Sequence, residues 1–189
     1  MLHRRDALKG LALTVGAAAT GWAGRAAAAT APALDWTPAA LTGDQARLVD
    51  AVAELIIPAT DTPGARQAGV PQFIDRALAN YCDKSQKDLL IGGLTRMDAD
   101  ARAAHGDVFV ALKPEQQVAM LTTYDQEAGV AKGQNPGQPH FFAALEDWVT
   151  VGYFTSEPGA TMALRYDPVP GAYHGCVPLA EIGRAWATR

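Results

Sequence analysis

LTGDQARLVDAVAELIIP, residues 41–58, decides the fold class of this 189-residue chain. Thr42 and Gln45 have the spacing of a capping box, in which each side chain accepts the other residue's backbone N–H, and Leu41 stands where a hydrophobic staple begins. Leu48, Val52, Leu55 and Ile56 then recur at the spacing of one helix face. Pro58 disfavours helical backbone just before it, so a helix is predicted over 43–57.

The same kind of pattern continues downstream. After the turn-rich loop PATDTPGA, Val70-Pro71 opens a second helix with proline in its first turn. Phe73, Ile74, Ala77, Leu78 and Tyr81 make its predicted buried face. Ser85, with Asp88 three residues on, caps a third helix carrying Leu89, Leu90, Leu94 and Met97 and ending at Gly106. A fourth helix is expected from Pro114 to about Ala128, with Val118, Leu121 and Tyr124 inward, followed by a loop over 129–139. A fifth runs from Pro139 to Thr155 and holds Phe141, Phe142, Leu145, Trp148, Val149 and Phe154. Residues 157–178 then carry seven prolines and glycines and follow neither the helical nor the strand period. A last short helix is expected over 179–186. The class is all-α: a single small helical domain of about five or six helices with a long irregular C-terminal loop. That loop is too apolar for simple disorder and reads as made to lie on a surface, its own or a partner's.

Upstream of residue 41 the chain changes character. RRDALK, residues 4–9, precedes a mildly apolar run over 11–22, then Arg25 and four alanines. Arg4, Arg5, Leu8 and Lys9 resemble a twin-arginine export signal, an address read by a receptor for folded cargo. Residues 1–29 are read as the signal, 30–40 as a linker and 41–189 as the helical domain. Without the signal the chain has 12 basic and 19 acidic side chains. Such a balance argues against nucleic acid or an anionic membrane as partner. No further apolar run approaches the ~20 residues of a membrane span, so any membrane association is expected to be indirect.

Motifs for chemistry are sparse. The chain contains no GxGxxG, no GxxxxGK[ST], no CxxCH and no HExxH. His105, beside Gly106, reads as a helix C-terminal residue, where a cation is favoured. His140 opens the fifth helix, at the surface or an interface, and His174 lies two residues before Cys176. Asp98, Asp100, Glu146 and Asp147 read as solvated helix positions. Cys82 and Cys176 are 94 residues apart and leave three options: a bond to each other, a bond to a partner chain, or free thiols. No nucleophile, base and orienting group stand together in a recognisable pattern.

DAVAELIIPATDTPGA (50–65), AGVPQFIDR (68–76), GYFTSE (152–157), RYDPVPG (165–171) and GCVPL (175–179) together resemble the gluconate 2-dehydrogenase subunit 3 family. The resemblance implies the small, exported subunit of periplasmic, membrane-associated dehydrogenases. Their larger flavoprotein, of the glucose–methanol–choline type, carries FAD and oxidises a sugar, sugar acid or other alcohol. A multihaem cytochrome with haem c passes the electrons on. This chain would bind neither cofactor itself, and would serve export and maturation of the flavoprotein. The family supplies no catalytic residues to carry over. Pro158 departs from its pattern, which has an aliphatic residue there, and is expected to end the fifth helix sharply.

Partner contacts are therefore assigned on physical grounds, to the aromatics Tyr153, Tyr166 and Tyr173 with Arg165 as charged anchor and Cys176 nearby. Phe154 is weighed between the interface and the core. Two other readings compete with the escort subunit. One is a free-standing periplasmic oxidoreductase with a site around Glu157, Tyr166, His174 and Cys176. The other is a soluble module that binds some other exported protein.

Overall fold

A computed structural model describes residues 34–135, 137–169, 171–172 and 176–187. Five helices make the body: α1 Gly43–Ile56, α2 Val70–Asn80, α3 Lys84–His105, α4 Pro114–Gln134 and α5 Phe141–Phe154. A 3-10 turn, Phe109–Ala111, joins α3 to α4. A π-helical turn, Gly159–Ala163, and a short α6, Leu179–Ile182, follow α5. Among the described residues the only extended pairing is one isolated bridge between Arg165 and Trp186.

The capping box that opens α1 forms as expected: Gln45 N–H donates to Thr42 Oγ1 at 3.3 Å and Thr42 N–H to Gln45 Oε1 at 3.0 Å. α2 opens after Gly69, whose φ of 74° lies in the left-handed region, with Pro71 in its first turn. α3 starts earlier than predicted. Its cap is Asp83, which accepts from Gln86 N–H at 2.8 Å while Gln86 Oε1 reaches back to Asp83 N–H at 3.0 Å. The Ser85 and Asp88 pairing fails as a box because an aspartate is too short to reach back. α4 runs to Gln134, through Gly129 and Gly133, both of which face open space. Each glycine costs a helix only ~1 kcal/mol, and a helix already packed at Leu121, Tyr124 and Ala128 carries them. The expected loop shrinks accordingly.

α5 is the axis of the bundle, with α1, α2, α3 and α4 all packed on it. Its sequence explains this, for it is apolar on most sides, and such a helix is stable only when surrounded. Phe141, Phe142, Leu145, Val149 and Tyr153 are buried, while Trp148 and Phe154 are half-buried at the core's edge. Two glycines let neighbours approach. A Cβ at Gly93 of α3 would overlap the Phe141 ring, and one at Gly152 would lie 2.7 Å from Phe73 Cδ1 of α2. Tyr81 and Val118, expected inward, are exposed. Tyr81 follows the last residue of α2 with φ at −122°, so its side chain leaves the buried face.

The stretch expected as a linker is, from residue 34, part of the body. Leu34, Trp36 and Ala40 pack on the core. The buried Asp75 of α2 accepts from the N–H groups of Ala39, Ala40 and Leu41 at 2.8, 3.0 and 2.9 Å. A buried carboxylate is tolerable only when hydrogen-bonded, and three donors satisfy it. At the other end, Ala163 is the last of the described hydrophobic residues that packs on the core.

Candidate functional site

Three of the distinctive sequence phrases, far apart in the chain, meet at the C-terminal end of α5. The loop after α1 leaves Pro58, Ala59, Thr60 and Asp61 exposed, yet it is fastened from below on two sides. Glu54 accepts from Ala59 N–H at 3.2 Å with one oxygen and from Arg66 N–H at 3.0 Å with the other. A Cβ at Gly64 would lie 2.5 Å from Glu54 Oε1 and 2.6 Å from Ala59 N, so only glycine fits this crossing. Arg66 in turn grips Asp50 with paired contacts of 2.8 and 2.9 Å, and that hydrogen bond raises its already high pKa. From the other side, the Tyr153 hydroxyl donates to Pro63 O at 2.8 Å. The loop is therefore a fixed prong on the surface.

Tyr153 also governs where the chain goes next. Its carbonyl accepts from the Ser156 hydroxyl at 2.6 Å and from Ser156 N–H at 3.1 Å. Ser156 Oγ then accepts from Gly159 N–H at 3.1 Å, which caps the turn that follows. A Cβ at Gly159 would overlap the Tyr153 carbonyl. Pro158 has helical dihedrals, φ −60° and ψ −44°. It does not end α5, which stops at Phe154. It stands in the first turn of the next helical piece, where a missing N–H costs nothing.

Beyond Ala163 the chain closes on itself. Arg165 N–H donates to Ala185 O at 2.8 Å and Ala187 N–H to Arg165 O at 2.9 Å. The Arg165 guanidinium lies over the Trp186 ring, 4.2 Å from its centroid, and Arg184 donates to Met162 O. This clasp fixes the segment without burying it: Tyr166, Val169 and Trp186 are 54%, 79% and 45% exposed.

The residues assigned to partner contact thus separate. Tyr166 and Cys176 are exposed on the C-terminal segment. Arg165 is there too, but its charge is engaged with Trp186. Tyr153 is 2% exposed and belongs to the core, so the expectation that it meets a partner directly is corrected: a residue on the inner face of α5 can only position others. Tyr173, His174 and the signal residues Arg4, Arg5, Leu8 and Lys9 lie outside the described residues. Cys82 is half-buried, and burial pushes its thiol pKa up, away from reactive thiolate.

A second polar group lies where α3, α4 and α5 meet. Tyr124 donates to Asp100 at 2.7 Å, and burial followed by that bond raises the phenol's pKa well above its ordinary value. Arg96 lies over the Tyr124 and Phe141 rings and reaches Glu127 at 2.8 Å. His140 caps α5 through Nδ1, which accepts from Phe142 N–H at 3.3 Å, and its Nε2 lies 3.6 Å from Glu127. His105 ends α3 with Nδ1 3.2 Å from Gln116 Nε2. Asp98 accepts from Phe109 N–H at 3.0 Å. Asp98 and Asp100 are thus structural partners and not merely solvated, which no local spacing signals.

Among the described residues there are shallow surface hollows of about 250 Å³ between Arg47, Glu54, Arg66 and Gln117 and of about 380 Å³ along the end of α4. In the first, Arg66 is paired with Asp50 and Glu54, Arg47 with Asp44, and Gln117 donates to Phe109 O. Among the described residues, no three potential metal ligands stand together, and no helix is long and apolar enough to cross a membrane.

The family model for gluconate 2-dehydrogenase subunit 3 matches residues 43–171, from the first residue of α1 to just past the start of the clasp. Nothing matching is found among curated proteins or among solved structures.

Proposed function

Because the chain belongs to the gluconate 2-dehydrogenase subunit 3 family, we propose that it is the non-catalytic small subunit of a periplasmic, FAD-dependent dehydrogenase for gluconate or a related sugar. The family match is the observation that carries this reading. The partner is a flavoprotein of the glucose–methanol–choline type, which holds the FAD, and a cytochrome with haem c is a further candidate partner. The chain acts in export and maturation of the flavoprotein, by folding against it before both cross the membrane together. Arg4 and Arg5 address the pair to the twin-arginine route. The geometry is compatible with such a role: a rigid bundle presents a fastened prong and a fixed, exposed C-terminal segment.

The test replaces Arg4 and Arg5 by lysine in a strain that expresses the whole complex. Gluconate-dependent dye reduction should disappear from the periplasm, with the flavoprotein retained in the cytoplasm or degraded. Undiminished periplasmic activity, in these cells or in cells lacking this chain, would overturn the escort reading.

A further inference from the structure

We propose that His140 makes the start of α5 an acid-sensitive latch: neutral, it caps the helix, and protonated, it gives up the cap and pairs with Glu127 instead. Neither state depends on the subunit reading. The geometry fixes the neutral one. His140 Nδ1 accepts from Phe142 N–H at 3.3 Å. A backbone N–H only donates, so Nδ1 carries no proton and the hydrogen of the neutral ring is on Nε2. Nε2 faces Glu127 Oε2 at 3.6 Å. The Phe141 ring, 4.7 Å away between centroids, holds the imidazole in that pose. The corresponding caps are Thr42 on α1 and Asp83 on α3. Those side chains remain acceptors across the neutral range. A histidine accepts at Nδ1 only while it is neutral, and histidine is the side chain whose charge changes between about pH 8 and pH 5.

A proton at Nδ1 turns the acceptor into a donor, so Phe142 N–H loses its partner. It also sets a positive charge at a helix start, where cations are disfavoured, and α5 has no acidic side chain in its first turn to offset it. The offset comes from the neighbouring helices. The titratable groups at this junction are Arg96 and Asp100 of α3 and Tyr124 and Glu127 of α4. Tyr124 is a neutral donor to Asp100, and Arg96 is shared between Asp100 at 3.3 Å and Glu127 at 2.8 Å. One guanidinium against two carboxylates leaves one negative charge, which a proton on His140 neutralises. Glu127 is partly exposed, so its pair with the imidazolium contributes less than the lost cap, and the first turn of α5 loosens. Phe141 and Phe142 are buried in the core, which confines the opening to the helix end.

Hydrogen exchange in the isotope-labelled full chain is the test. Corrected for the intrinsic rate at each pH, protection of the Phe142 amide should fall about fivefold between pH 8 and pH 5. Protection of Val149, in the middle of α5, should hold. His140→Asn, a cap that does not titrate, should remove the fall. Glu127→Gln, which withholds the pairing charge, should move it to lower pH. At pH 8, nuclear magnetic resonance of the imidazole nitrogens should show the proton on Nε2. A proton on Nδ1 at pH 8 would overturn the proposal without any variant. So would an equal fall in His140→Asn, protection at Phe142 that does not change with pH, or an equal fall at Val149, which would make the loss global.

Discussion

Residues 34–163 and residues 164–187 are both tied by hydrogen bonds, but only the first are held by burial. In the body each polar device serves packing: Asp75 seats the entry segment, Glu54 and Tyr153 seat the loop, and Gly93 admits a phenylalanine ring. In the clasp the same kinds of bond order a segment that turns its apolar side chains outward. Hydrogen bonds contribute little net stability where water competes for both partners. The body should therefore be stable without the clasp.

Substitutions test that contrast, beginning with the largest expected effect. Gly93→Val forces a branched side chain into the Phe141 ring and should destabilise the body by about 3 kcal/mol, seen as a lower midpoint in urea. Asp75→Ala strands three donors and should lose about 2–3 kcal/mol, with hydrogen exchange accelerated first at residues 39–41. Tyr153→Phe keeps the ring and removes the bond to Pro63. A loss of about 1 kcal/mol is expected, with exchange or proteolysis rising at residues 58–63 while α5 stays protected. Trp186→Ala should change the melting of the body by less than about 0.5 kcal/mol and yet speed proteolytic cleavage within 164–187. A large drop in melting from that change would erase the distinction between the two regions.

Acidity offers a further check inside the body. Tyr124 has its pKa raised by burial and by Asp100, so the folded state favours the neutral phenol. The stability this contributes is complete below the ordinary tyrosine pKa of about 10 and is lost as pH rises through the higher folded value. Urea midpoints of the wild type should fall more steeply than those of Tyr124→Phe above about pH 10.

What could be read from sequence was what is local. The Thr42–Gln45 box, Pro71 in the first turn of α2 and the apolar periodicity of α5 act over a few residues, and all appear in the structure. The cap of α3 is ambiguous in sequence because Asp83 and Ser85 are both good caps, and only the reach of Gln86 favours Asp83. The end of α4 lies beyond the expected Ala128 because glycine's penalty is small beside the packing that precedes it. Long-range partners left no trace in spacing: Asp75 meets residues about 35 positions away, and Tyr153 meets Pro63 across 90. Tyr153 anchors a loop from inside the core, and an aromatic that anchors a loop and one that anchors a partner look alike in sequence.

The Asp75 seat has a mechanical consequence. Tension applied to the chain at residue 34 reaches residues 39–41 before it reaches any helix, and there it meets three bonds that end on one carboxylate. The donors sit on consecutive residues, so a pull from that side loads Ala39 first, then Ala40 and Leu41, and the entry segment has to be peeled from Asp75 before α1 bears any force.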